Sequence, residues 1–270
     1  MNSTAPIPAN PTVLVFDSGL GGLTVLREIA ASRRDLNLVY AADDAVFPYG
    51  RLEDEALIAR VSAVMDELIA CYRPSLAVIA CNTASTLTLP VLRANHAIPF
   101  VGTVPAVKPA CAQSKTKRIS VLATPGTVKR DYTRALIAEF AGDCQVDLVG
   151  SAHLAPLAEA YLRGEEAVDD RIAAEIAPAF REDGRKTDTL VLACTHYPLL
   201  LARLQELAPW PVEWVDPAPA IARRVASLLP TPGRAVTAPV RAHFTSGKAP
   251  GPALAKSLQS FGIEVAGEGV

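Results

Sequence analysis

The sequence has no block of like charge, no cysteine pair at metal-binding spacing and no long uninterrupted apolar run. Its 26 basic and 28 acidic side chains are spread along 270 residues and leave a formal net charge of −2. A chain of this kind lacks the basic patch with which proteins attract nucleic acid or an anionic membrane surface. We therefore expect neither nucleic acid nor a membrane among its partners.

Targeting and membrane segments are also missing from the sequence. The N-terminal stretch, MNSTAPIPANP, has neither the basic region nor the apolar region of a secretory signal peptide. The longest uncharged run, residues 75–92, contains Asn82, Thr83, Ser85 and Pro90, so we interpret it as a strand, a polar loop and a helix. Half of all residues are hydrophobic, which predicts a folded body. Together these features predict a cytoplasmic protein.

Signals for disulfides, metals and large cofactors are absent or incomplete. The five cysteines, at positions 71, 81, 111, 144 and 194, are an odd number without a Cys-x-x-Cys pair, so we expect free thiols and no zinc site. The segment 18–22, SGLGG, lacks the full spacing of a dinucleotide-binding loop, and no P-loop is present. No lysine stands in a recognisable pyridoxal phosphate setting, although that alone never excludes this cofactor. The simplest prediction is chemistry without a metal or cofactor.

Short apolar runs alternate with amphipathic stretches, which predicts an α/β fold with mostly parallel sheets and crossover helices. The pattern restarts near residue 118, and residues 76–83, LAVIACNT, resemble residues 190–196, LVLACTH. In both segments a cysteine directly follows a predicted strand. We interpret this as an internal repeat of two facing α/β domains related by a pseudo-twofold axis, with the active site in the cleft between them.

Cys81 and Cys194 are the strongest candidates for chemistry, because ligands bind at the carboxyl ends of strands in open α/β sheets. A helix N-terminus after each cysteine is expected to lower the pKa of the thiol. Two thiols on opposite sides of a cleft can serve as the base and the acid that remove and replace the α-hydrogen of an amino acid. The other three cysteines are expected to be buried hydrophobic residues.

Three residues are candidate partners of these thiols. Asp17 ends the first predicted strand, where it can either approach Cys81 across the sheet or serve only as a helix cap. His196 lies two residues beyond Cys194 and can shift or receive its proton. Glu159 can orient His196, although a solvated position on its helix is the more ordinary expectation for a glutamate.

Polar donors at the strand ends are candidates for binding the carboxylates of an amino-acid ligand. Each is also an ordinary cap or turn residue. The segment 48–50, PYG, is predicted to be a turn whose backbone N–H groups face the cleft. The full set of candidates is Ser18, Tyr49, Gly50, Asn82, Thr83, Thr124, Thr127 and Thr195.

Six motifs, in their order along the chain, resemble those of glutamate racemase in the aspartate/glutamate racemase superfamily. They are residues 15–24 (VFDSGLGGLT), 48–50 (PYG), 80–85 (ACNTAS), 104–109 (VPAVKP), 122–127 (LATPGT) and 194–199 (CTHYPL). The two cysteine motifs together are highly specific, whereas any one of the others is a weak signal.

The resemblance implies a cofactor-independent enzyme that interconverts L- and D-glutamate and supplies D-glutamate for peptidoglycan synthesis. By motif, Cys81 and Cys194 carry over as the acid/base pair, with Asp17, Glu159 and His196 in support. The substrate contacts that it implies are Ser18, Tyr49, Gly50, Asn82, Thr83 and Thr195. It also implies an inserted second domain, with residues 1–103 and 215–270 forming the first domain and residues 104–214 the second. A homodimer is compatible with the resemblance, which does not fix the oligomeric state.

Three positions depart from the family's pattern. Ala42 and Val46 stand where glycine and arginine are usual, which puts the shape of the loop before Tyr49 in question, and Pro217 stands where serine is usual.

Three alternatives stay open on the sequence alone. The nearest is a related racemase or isomerase acting on aspartate, maleate or a hydantoin. A second is a hydrolase with Cys194 as nucleophile and His196 as base. A third is a nucleotide-binding module that uses residues 19–22 and Asp43, which ends the second predicted strand.

Overall fold

The computed structural model describes residues 8, 10–166 and 168–264 of the chain. Within this part the strands form two sheets in which every paired strand is parallel to its neighbour. Helices cover both sheets, which confirms the predicted α/β fold. No helix in the same residues has the length and apolar character needed to cross a membrane.

The first sheet contains strands from both ends of the chain. Its strands are β1 (Thr12–Asp17), β2 (Asn37–Ala42), β3 (Leu76–Ile79), β4 (Phe100–Gly102) and β9 (Arg241–Phe244), in the order β4-β3-β1-β2-β9. Its helices are α1 (Leu23–Ser32), α2 (Asp54–Tyr72), α3 (Asn82–Asn95), α10 (Ala218–Leu228) and α11 (Pro252–Gln259).

The core of this half lies on both faces of the sheet. In β1, Val13 and Val15 pack with α1 and α10, whereas Leu14 and Phe16 pack with α2 on the other face. Successive side chains of a strand point to opposite faces, so a strand covered on both sides must be apolar throughout. This explains why β1 has an unbroken apolar sequence up to Asp17.

The second sheet is built from the middle of the chain. Its strands are β5 (Arg118–Ala123), β6 (Gln145–Gly150), β7 (Thr189–Ala193) and β8 (Glu213–Val215), in the order β6-β5-β7-β8. Its helices are α4 (Val107–Gln113), α5 (Pro125–Lys129), α6 (Asp131–Phe140), α7 (Leu154–Leu162), α8 (Asp169–Ile176) and α9 (Leu201–Leu207).

The same strand order recurs at the centre of both sheets. The order β3-β1-β2 in the first sheet corresponds to β7-β5-β6 in the second. The strands β3 and β7 therefore occupy matching positions, and Cys81 and Cys194 follow closely after them. After β8 the chain returns to the first sheet through β9, and the division into residues 1–103 plus 215–270 and residues 104–214 stays a prediction.

Candidate active site

A small cavity lies where the carboxyl ends of the two sheets meet. It is lined after β1 by Ser18, after β3 by Cys81, after β5 by Thr124 and after β7 by Cys194, with a wall formed by residues 47–50. The structure thus brings both predicted cysteines to one cavity. The remaining predicted residues that line it are Tyr49, Gly50, Asn82, Thr83, Thr195 and His196.

Cys81 stands at the N-terminus of α3 and is buried. Its Sγ lies 3.6 Å from the hydroxyl oxygen of Ser18. Burial and, to a smaller extent, the Asp17 carboxylate raise the pKa of the Cys81 thiol to about 12, against the partial opposition of hydrogen bonds from the backbone of Ala84 and to Ser18. The expected lowering of this pKa is therefore wrong, because loss of water around the sulfur outweighs the helix N-terminus.

Asp17 connects the two halves of the cleft. Its carboxylate accepts hydrogen bonds from the backbone N–H of Ser18 at 2.8 Å and from that of Gly22. It also accepts one from the hydroxyl of Thr195 at 3.0 Å. The backbones approach so closely here that a Cβ at Gly21 would collide with the imidazole of His196. Asp17 is therefore more than a helix cap, because it fixes the loop beside Cys81 to the loop beside Cys194.

A series of polar contacts leads away from Cys194. Its Sγ lies 3.8 Å from Nδ1 of His196, whose Nε2 lies 3.0 Å from Oε1 of Glu159. The same oxygen accepts the backbone N–H of Leu20 at 2.8 Å, and Oε2 of Glu159 pairs with Arg163 at 2.6 Å. Glu159 is buried, so the expectation of a solvated helix position is wrong for it.

The charges of His196 and Glu159 follow from their burial and their hydrogen bonds. Burial by itself lowers the pKa of His196, but the hydrogen bonds to Cys194 and Glu159 outweigh it and hold that pKa well above its ordinary value. For Glu159 burial raises the pKa, and the hydrogen bond to His196 reverses this and leaves it lowered. At neutral pH the pair is therefore imidazolium and carboxylate, which places a positive charge beside the sulfur of Cys194.

Hydroxyl and amide groups line part of the cavity, although Thr127, a predicted substrate contact, is not among the residues that line it. Hydroxyl oxygens of Thr83 and Thr124 lie 3.1 Å apart, and those of Thr124 and Thr127 are also 3.1 Å apart. Oδ1 of Asn82 accepts from Thr103 at 3.3 Å, while its Nδ2 is buried and, within the described part of the chain, has no hydrogen-bond partner. A free amide donor at this position suits a ligand carboxylate.

The loop before Tyr49 is held by a buried cluster around Asp43. The Tyr49 hydroxyl donates to Asp43 at 2.5 Å, and the same carboxylate accepts from Arg60 and Thr245. Asp43 is therefore occupied and does not offer a carboxylate to a ribose, which weakens the nucleotide-binding alternative. Of the two departures in this loop, Ala42 is fully buried at the end of β2 and Val46 packs beside the core around Tyr49.

Phe47 and Ala155 also line the cavity, and sequence reasoning missed both. The ring of Phe47 lies 5.2 Å from the imidazole of His196, between ring centroids. Apolar walls of this kind leave no chemical signature in a sequence, apart from the position of Phe47 directly before the PYG motif.

The third departure from the family's pattern, Pro217, directly precedes α10. Asp216 before it accepts the backbone N–H of Ala218 at 2.8 Å at the start of this helix.

Comparisons with known proteins agree on one family. The family profile described as Asp/Glu/Hydantoin racemase matches residues 22–225. A glutamate racemase from Brucella canis is 54% identical over 267 residues, covering 95% of this chain and 96% of that protein. A glutamate racemase from Sinorhizobium medicae is 53% identical over 261 residues, with the same 95% and 96% coverage.

Solved structures show the same relationship. The crystal structure of Escherichia coli glutamate racemase, in complex with L-glutamate and the activator UDP-MurNAc-Ala, has a TM-score of 0.87 and 41% identity, covering 96% of this chain and 100% of that chain. A glutamate racemase isoform from Bacillus anthracis has a TM-score of 0.80 and 26% identity, with 97% and 99% coverage. The present chain belongs to the Asp/Glu/hydantoin racemase family and is an amino-acid racemase, an isomerase.

Proposed function

We propose that the protein interconverts L- and D-glutamate without a cofactor, with Cys81 and Cys194 as the two proton-transferring groups. The observation that carries this proposal is the position of the two cysteines after the matching strands β3 and β7, lining one cavity from opposite sheets. The substrate follows from the relatives, which are glutamate racemases over nearly the whole chain.

In the proposed mechanism one cysteine acts as a thiolate and takes the α-hydrogen of glutamate as a proton. The electron pair of the broken C–H bond stays on the planar carbon, and the thiol on the other side donates a proton to it. The reaction thus inverts the carbon and leaves the two sulfurs with exchanged protonation states, and the reverse reaction restores them.

The surroundings of the two sulfurs support a particular resting state. A pKa raised to about 12 keeps Cys81 protonated at neutral pH. Cys194 faces the imidazolium of His196, whose charge is balanced by Glu159. Cys81 is therefore the proposed proton donor and Cys194 the proposed proton acceptor, because the positive charge of His196 lies on the Cys194 side.

The carboxylates of glutamate need donors that do not take part in the proton transfer. The free Nδ2 of Asn82 and the hydroxyls of Ser18, Thr83, Thr124 and Thr195 lie at the cavity or its edge. Such donors stabilise the negative charge that develops when the α-proton leaves. Tyr49 and Gly50 contribute their backbone, since the Tyr49 hydroxyl is bound to Asp43.

The cellular role follows from the proposed product. D-glutamate made in the cytoplasm would serve peptidoglycan synthesis, and this role and location are part of the proposal, as is the absence of a cofactor. An aspartate racemase, or a maleate or hydantoin isomerase, would use the same pair of cysteines on a different substrate, so the choice among them depends on the substrate that is turned over.

Proton NMR in D₂O tests the proposal directly. Purified protein without added cofactor is given L-glutamate and, separately, D-glutamate, and we expect loss of the α-proton signal, with formation of the other enantiomer followed in parallel by circular dichroism. Cys81→Ala and Cys194→Ala should each reduce the rate by about a thousandfold or more. Turnover of aspartate or maleate but not glutamate would show that the proposed substrate is wrong and leave the mechanism in place. No turnover of any of them would contradict the two-cysteine proposal.

A further inference from the structure

Two cavities of different size meet at Tyr49, Gly50 and Thr83. The inner cavity, between the two cysteines, has a volume of about 20 Å³, which holds about one water molecule. The outer cavity shares these residues and has a volume of about 600 Å³. A molecule the size of glutamate does not fit the inner cavity in this state. Because the two cavities share a wall, the outer cavity offers a route by which substrate can reach the cysteines once this side of the cleft opens.

Arg130 lies in the wall of the outer cavity, at the junction of α5 and α6. Its side chain is only 8% exposed. Its Nη2 lies 3.2 Å from Oδ1 of Asp54, and its Nε donates to the carbonyl of Gly126 at 3.3 Å. Its Nη1 is buried and, among the residues that the structure describes, has no hydrogen-bond partner. A buried cationic donor without a partner is costly, so it indicates a ligand that completes it.

The ion pair of Arg130 with Asp54 spans the cleft. Asp54 lies in the first turn of α2 on the first sheet, whereas Arg130 belongs to the second. Of the salt bridges in the described part of the chain, this pair alone connects helices of different sheets. Asp54 is 63% exposed, and a pair with a solvated partner is weak. A ligand carboxylate can therefore replace Asp54 at little cost.

General electrostatic attraction does not explain how an acidic substrate would be captured here. The charged side chains that line the outer cavity balance in sign: Arg51, Lys129 and Arg130 against Glu53, Asp54 and Asp131. Arg51 and Lys129 are exposed, whereas Arg130 is withdrawn from water. Burial accordingly lowers the pKa of Arg130. A desolvated guanidinium forms strong paired hydrogen bonds with a carboxylate, so Arg130 is the cation suited to this role.

We propose that Arg130 binds a carboxylate of incoming glutamate, exchanging its partner Asp54 for the substrate at the mouth of the cleft. This inference rests on the proposed function and adds a substrate-binding residue to it. Because Asp54 competes with the substrate for the guanidinium, removal of either partner should change the KM in opposite directions. A purely structural ion pair would not do so, since loss of either partner would then have similar consequences.

The test compares Arg130→Gln with Asp54→Asn. For Arg130→Gln we expect the KM for glutamate to rise by about tenfold or more, with a smaller effect on kcat. For Asp54→Asn we expect the KM to fall by about twofold to threefold. Lys129→Gln, which removes an exposed charge from the same wall, is the matched control and should change the KM by less than about twofold. Arg130→Lys keeps the charge but loses the paired N–H donors of the guanidinium, so its KM for glutamate should lie between those of the wild type and Arg130→Gln.

Steady-state kinetics and calorimetric titration with glutamate, with thermal melting to verify folding, distinguish the outcomes. The proposal is overturned if Arg130→Gln and Arg130→Lys keep the wild-type KM and Kd, or if Asp54→Asn raises the KM as Arg130→Gln does. If the wild type binds glutamate without converting it, the proposed function fails, and weaker binding by Arg130→Gln still supports this inference. If the wild type neither binds nor converts glutamate, both fail.

Discussion

Cys81 follows β3 and Cys194 follows β7, the strands that occupy matching places in the two sheets, but different charged groups lie beside the two sulfurs. The carboxylate of Asp17 raises the pKa of Cys81, in addition to the larger effect of burial. Beside Cys194 lies His196, an imidazolium bound to Glu159. The repeated backbone therefore positions two equal thiols, while their neighbours differ between the two halves.

This difference suits a reaction that needs one acid and one base at the same time. Two thiols in identical surroundings would compete for a single proton, and neither arrangement of that proton would be favoured. The negative Asp17 favours a thiol at Cys81, whereas the imidazolium of His196 lies beside Cys194. The comparison thus predicts that the supporting residues of the two halves have unequal effects when they are changed.

Glu159→Gln should have the largest effect among the supporting residues. It removes the carboxylate that balances the buried imidazolium, so the pKa of His196 should fall and the charge beside Cys194 should be lost at neutral pH. We expect kcat for both enantiomers to fall by about a hundredfold, measured by circular dichroism. Glu165→Gln, at an exposed position just after α7, is the control and should behave as wild type. Equal kcat values in Glu159→Gln and Glu165→Gln would show that catalysis at Cys194 does not depend on the His196–Glu159 pair.

The same pair makes a prediction about stability and pH. The folded-state pKa of Glu159 is lowered, so its stabilising contribution is present above its unfolded pKa and is lost as pH falls through the folded value. The folded-state pKa of His196 is raised, so its contribution is present below its unfolded pKa and is lost as pH rises through the folded value. Denaturant unfolding should therefore show that Glu159→Gln loses most stability near neutral pH and less in acid.

Alkylation of Cys81 tests the other half of the comparison. A thiol whose pKa is raised to about 12 is protonated throughout the neutral range, so its reaction with iodoacetamide should accelerate about tenfold per pH unit between about pH 7 and pH 10. Asp17→Asn should speed this reaction at a given pH, because it removes one cause of the raised pKa. Peptide mapping by mass spectrometry measures the rate, and labelling of the exposed Cys71 verifies the reagent. A plateau near neutral pH would show that Cys81 is already a thiolate.

The fold and the two cysteines were predictable because their signals are local. Strand β7 has the buried apolar run 190–193, LVLA, that marks a parallel strand, and Cys194 comes directly after it. The strand ends of parallel sheets share one edge, so a cysteine at that position predicts a site without any knowledge of packing. The repeat of LAVIACNT in LVLACTH added the second cysteine by the same reasoning.

The properties that sequence missed depend on distant contacts. The burial of Glu159 depends on packing against the loop at Leu20, 139 residues away in the chain. The raised pKa of Cys81 depends on burial by segments from both halves, which overrides the local helix N-terminus. Cys71 was expected to be buried and is exposed, although it lies in the last turn of α2 in line with the buried Val64 and Leu68. A sequence window contains none of these contacts.

The smallest effect is expected at Arg163, the outermost residue in the series of polar contacts that begins at Cys194. Arg163 pairs with Oε2 of Glu159 at 2.6 Å, but its side chain is 42% exposed, so water screens the pair and also replaces it when it is removed. Arg163→Gln should therefore change kcat by less than about twofold and lower the free energy of unfolding by less than about 1 kcal/mol. Kinetics and denaturant unfolding beside Glu159→Gln measure both quantities. If Arg163→Gln lost as much activity as Glu159→Gln, catalysis at Cys194 would depend on a solvent-exposed group. The contrast between the two cysteines would then extend to the protein surface instead of ending at the buried His196–Glu159 pair.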